Sequence, residues 1–189
     1  MKQIRNAALA AILAVSGAQA MAFGSIFVTE PGADSFNIET MAFNGSSFPI
    51  TKLTFDFSGT TTTDNSVLVI DGSPLSVTAP AGGTATFFGS GSVFGFNFTS
   101  FDTFDSFKFK WDPDSAISGS YGATASDFVG AVVTAVTTNG VYSGTFTKVI
   151  GSPDVSAILS PVPEAESLAL AIAGLAVVGG VASRRARKA

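Results

Sequence analysis

No cysteine and no histidine occurs anywhere in the 189 residues. Their absence removes the Cys nucleophile, the Ser-His-Asp triad and any His/Cys zinc or haem site. Any catalysis would fall to carboxylates, Lys, Tyr or Ser alone. Without disulfides, stability rests on the core. Charge is sparse too, at 13% of residues. Between Phe23 and Ser160 the only cations are Lys52, Lys108, Lys110 and Lys148, which face twelve Asp and Glu for a net charge of −8. Such a surface lacks the basic stripe that nucleic-acid phosphates require, and it has no grip on anionic lipid. With one Trp and two Tyr, there is no dense motif of aromatics and acids to suggest a sugar-cleaving cleft.

The two ends carry the clearest signals. Lys2 and Arg5 precede an apolar run from Ala7 to Val15, which stops at Ser16-Gly17-Ala18-Gln19-Ala20-Met21-Ala22. A positive n-region, a short h-region and small residues at −3 and −1 describe a signal peptide over 1–22, cleaved after Ala20 or Ala22. The run is about half the ~20 apolar residues that a permanent span needs.

At the other end, Pro163-Glu164-Ala165 leads into Leu168–Ala182, which carries no charge, followed by Arg184, Arg185, Arg187 and Lys188. As a helix, 168–182 would be roughly 23 Å long against a hydrocarbon core of about 30 Å. It can span with snorkelling or local thinning of the bilayer, and the basic cluster holds the extreme end in the cytoplasm. Pro-Glu, a short apolar helix and a terminal Arg cluster resemble the PEP-CTERM sorting signal of Gram-negative bacteria. Ala165 stands where that family has a second proline. The resemblance covers residues 163–189 and implies recognition and processing by an exosortase in the inner membrane. It further implies a role in biofilm or an exopolysaccharide matrix, with no bearing on the fold before the tail.

Between the ends, Phe, Val, Thr, Gly and Ser dominate, and no 3.6-residue apolar period persists over three turns. Alternation marks strands instead. Phe107, Phe109 and Trp111 share one face of Ser106–Trp111, with Lys108 and Lys110 opposite. Leu53, Phe55 and Phe57 alternate with Lys52, Thr54 and Asp56, and Phe94, Phe96 and Phe98 repeat the pattern. Val67–Ile70 and Phe36–Phe43 are shorter candidates, and Asn139-Gly140 predicts a two-residue hairpin turn. About eight to ten short strands with one wet face predict an all-β antiparallel sandwich, or its jelly-roll variant, over 23–150. Prolines 153, 161 and 163 mark 151–162 as a linker to the tail.

Asp102, Asp105, Asp112 and Asp114 are the one acidic group that invites a metal, as hard oxygen ligands for Ca²⁺. Asp-Thr-Phe-Asp and Asp-Pro-Asp are also ordinary turn chemistry, and neither has the glycine and distal glutamate of an EF-hand loop. The expectation is therefore turn capping, with no catalytic residue, metal or cofactor assigned. The sequence reads as an exported envelope or matrix structural protein whose partners are signal peptidase and the secretion machinery, an exosortase, transiently the inner membrane, and exopolysaccharide. It would end at the cell surface, in the matrix or in the medium. A carbohydrate-binding module holding exopolysaccharide on one sheet face is the alternative, and a small matrix hydrolase the second. An outward row of Tyr or Trp would favour binding, and an acid pair in a cleft would favour hydrolysis.

Overall fold

The computed structural model describes residues 26–30, 37–119 and 121–162. The described chain is all-β and antiparallel, with one short 3₁₀ helix at Ala125–Phe128. In chain order the strands are β1 (Ile26–Glu30), β2 (Ile38–Asn44), β3 (Ile50–Asp56), β4 (Leu68–Ile70), β5 (Ser76–Thr78), β6 (Thr84–Ser90), β7 (Val93–Phe101), β8 (Ser106–Trp111), β9 (Pro113–Ser115), β10 (Val132–Thr137), β11 (Gly140–Thr145), β12 (Thr147–Lys148) and β13 (Val155–Pro161). Among the described residues no helix is long and apolar enough to cross a membrane. The expected signal peptide, the expected sorting tail and the helix expected at 168–182 lie outside them.

Ten strands form one hydrogen-bonded path, β5-β8-β2-β1-β13-β11-β10-β3-β7-β6, with β12 added on β13. The path doubles back at β13, because the inward faces of its two halves meet through aromatic rings. Phe107 of β8 lies 4.7 Å from Phe96 and 4.8 Å from Phe98 of β7, and Trp111 lies 4.9 Å from Phe94. Phe109 meets Phe96 at 4.8 Å and Phe55 of β3 at 5.3 Å. Each such pair contributes about 0.5–1.5 kcal/mol beyond its buried area. The alternation read from the sequence is the cause. Leu53, Phe55, Phe57, Phe94, Phe96, Phe107, Phe109 and Trp111 are all buried. Trp111 hides its indole at no polar cost, since Nε1–H donates to buried Thr40 Oγ1 at 2.9 Å.

Three sequence expectations need correction. The described residues form thirteen strands, because several are two or three residues long, too short to show a period. The β10–β11 hairpin is present, but Thr137 pairs with Gly140, so the turn is Thr138–Asn139. Gly140, at φ +128, opens β11 in a conformation that favours glycine.

Most consequentially, 151–162 is not a linker. Val155, Ala157 and Leu159 of β13 are buried. The strand pairs with β1 from Ile26↔Leu159 to Glu30↔Val155, and with β11 through Tyr142↔Pro161. Proline is tolerated at this last strand position, where few ladder bonds depend on its missing N–H.

Candidate functional site

β8 decides what the four aspartates can do. Asp102 and Asp105 sit at its start, where the Asp105 carboxylate accepts the Asp102 N–H at 3.0 Å and the Asp105 N–H donates to the Asp102 carbonyl at 3.1 Å. Asp112 and Asp114 sit beyond its other end. The six residues of β8 separate Asp105 from Asp112, about 23 Å over the intervening steps at ~3.3 Å each. The four cannot share an ion. Among the described residues, no group of three or more Asp or Glu side chains is arranged to hold a metal.

The structure instead gathers a different acidic set around the small β4–β9 ladder. Val69 pairs with Asp114 and Ile70 with Pro113, and the Asp71 N–H donates to the Asp112 carbonyl at 3.2 Å. Asp71 and Asp64 thereby join Asp112 and Asp114 at one end of the domain. Asp64 Oδ2 accepts from Ser115 Oγ at 2.6 Å, and its other oxygen accepts from Thr62 Oγ1. Those two bonds, the Ser115 bond foremost, hold the Asp64 carboxyl below the usual carboxylate range.

Asp112 and Asp114 go the other way. Burial pushes Asp112 up, and the negative charges of Asp114 and Asp71 add to it. Burial, then Asp71, pushes up Asp114, opposed by a hydrogen bond from the Tyr121 backbone. Asp112 Oδ1 is buried without a hydrogen-bond partner. The arrangement buries two carboxyls and sets them beside further negative charge. The sequence pointed to Asp112 and Asp114 by their spacing. Asp64 and Asp71 carry no such local signal, because their meeting with the β9 region is a long-range contact.

Among the described residues the aromatic side chains give no binding row. Trp111 and Tyr142 are buried, and Tyr121 is half-buried with its hydroxyl bound to Thr63 at 2.8 Å. The exposed ring among the described residues is Phe104, 74% accessible at φ +70 and packed 6.4 Å from Phe43. Its turn is pinned by Phe104 N–H to the Asn44 carbonyl at 2.7 Å and by Asn44 N–H to the Asp105 carbonyl at 3.0 Å. One phenylalanine on a turn is not a sugar-binding platform by itself.

Ala20, Ala22, Pro163, Glu164, Ala165, Arg184, Arg185, Arg187 and Lys188 lie outside the described residues. What the fold does position is the two margins of the described domain. Ile26 pairs with Leu159, and the last described residue, Val162, donates its N–H to the Val141 carbonyl at 2.8 Å. The first and last described strands are neighbours, and antiparallel pairing puts the start of one beside the end of the other.

The chain matches no family model, no curated protein and no solved structure. What is established is therefore an all-β antiparallel domain with an acidic end.

Proposed function

We propose that this chain is an exported structural protein of the cell envelope or extracellular matrix. In this reading it is translocated by its N-terminal signal and held by its C-terminal helix until an exosortase processes the tail. The observation that carries the reading is the pairing of β1 with β13. It sets Ile26 and Leu159, the margins from which the two expected signals would extend, side by side. Both can then face the same membrane while the strands between them fold on the far side. The nested pairing of β2 on β8 and β3 on β7 supports a β-sandwich of jelly-roll character. That is a fold which stabilises itself outside the cell without disulfides. Its partners are signal peptidase, the exosortase and, at its destination, exopolysaccharide.

The test is replacement of Arg184, Arg185, Arg187 and Lys188 by neutral residues in the native host. The short, weakly apolar helix then loses its topological anchor, and tail processing should fail. Normal processing of that variant would remove the sorting assignment.

A further inference from the structure

We propose that the free edge of β6 is a self-association surface, through which two copies of this chain pair antiparallel and continue the sheet from one molecule into the next. The inference goes beyond the sorting reading and stands without it.

The first observation is the edge itself. β6 pairs with β7, and among the described strands no other pairs with it. Exposed edges are ordinarily guarded by shortness, Lys or Pro. The opposite edge, β5, is guarded by its length of three residues. β6 has seven, Thr-Ala-Thr-Phe-Phe-Gly-Ser, with no charge and no proline.

The second is charge. The thirty residues Gly72–Phe101, which build β5, β6, β7 and their connections, contain no Asp, Glu, Lys or Arg. The region from Phe23 to Ser160 carries a net −8, so two copies repel on most approaches. Along this edge no residue of the strand itself is charged, and the charge beside it is the Lys52 ammonium, 4.6 Å over the Phe88 ring.

The third is apolar surface that one copy leaves uncovered. Ala85 and Phe87 pack on the core yet stay half-buried at the edge. Across the opening, Leu75 is 60% and Val77 42% exposed. An antiparallel pair with its two-fold axis at Phe87 places Phe87 against Phe87 on the core face. It also sets Thr86 against Phe88 and Thr84 against Ser90 on the outer face. The same patch serves both partners, as a closed dimer requires.

Because the chain has no cysteine, single cysteines report contacts cleanly. In the full chain, purified in detergent, Thr86→Cys should form a dimer with a short bis-maleimide. Lys148→Cys, equally exposed but on β12, should stay monomeric. Adding Thr84→Lys and Ser90→Lys opposes two pairs of like charges, and should cut the Thr86→Cys cross-link about tenfold without lowering the melting temperature. Thr84→Glu with Ser90→Lys should restore it, since each glutamate then faces a lysine. Equal cross-linking at both cysteines, none at position 86, or a charge pattern without effect would each overturn the proposal.

Discussion

β13 and β6 are both seven-residue strands, and the fold uses them in opposite ways. β13 lies where the two halves of the strand path join, bonded to β1, β11 and β12, with Val155, Ala157 and Leu159 inside. β6 lies at the far margin, bonded to β7 alone, with its inward residues only half covered. One side of the domain is closed by sharing a strand, and the other is left open between β5 and β6. Stability should therefore concentrate at the closed side, and the capacity to associate at the open one.

The severest test removes the closing strand. A chain ending after Asp154 loses the partners of β1, β11 and β12 together. It should show no cooperative melting by calorimetry, and its strand circular dichroism should collapse. A truncated chain that still melts as a unit would mean that the closed side contributes no more than the open one.

Single substitutions grade the same contrast. Leu159 on β13 is 1% exposed and Val77 on β5 is 42% exposed. Leu159→Ala should cost about 2–5 kcal/mol, since it opens a cavity where both halves of the core meet. Val77→Ala should stay within about 0.5 kcal/mol, as surface changes usually do. Denaturant midpoints of the two variants decide it, and equal losses would erase the distinction.

Which parts of this were legible follows from how local each signal is. Ser106–Trp111 was readable to the residue because Phe107, Phe109 and Trp111 alternate with two lysines, so period and polarity agree. β13 has the same alternation, Val155, Ala157 and Leu159 against Ser156, Ile158 and Ser160. Its small and apolar outward residues, and the prolines beside it, made it look like extended linker. The hairpin turn slipped by one residue because Gly140 serves as a strand residue at positive φ, a role that Asn-Gly chemistry alone does not separate from the turn. The acidic end was half legible. Asp112-Pro113-Asp114 is a visible motif, while Asp71 reaches it only through the pairing of β4 with β9. A contact spanning some forty residues leaves no periodic trace.

The smallest expected effect lies at the border between the two sides, where charge resumes next to the neutral run. Asp112 and Asp114 have carboxyls raised above the ordinary value of 3.8, by burial first and then by neighbouring negative charge. The folded state therefore binds more protons than the unfolded one from about that value up to the raised pKa, and stability falls as pH rises through the window. Asp64 runs oppositely. Its lowered pKa stabilises the fold above the ordinary value, and that contribution is lost as pH drops through the lowered one. Asp112→Asn removes the Asp112 share of the first effect and leaves the Asp114 share and the second. The variant should melt above the native chain at pH 7, by a small margin that is lost as pH falls through the raised pKa and is nearly gone at pH 3, where Asp112 is mostly neutral in both states. Leu159→Ala, a loss of packing, should cost the same at both values. Calorimetry of the two variants across that range separates charge from shape, and a pH-independent offset for Asp112→Asn would mean that repulsion at this border does not strain the fold.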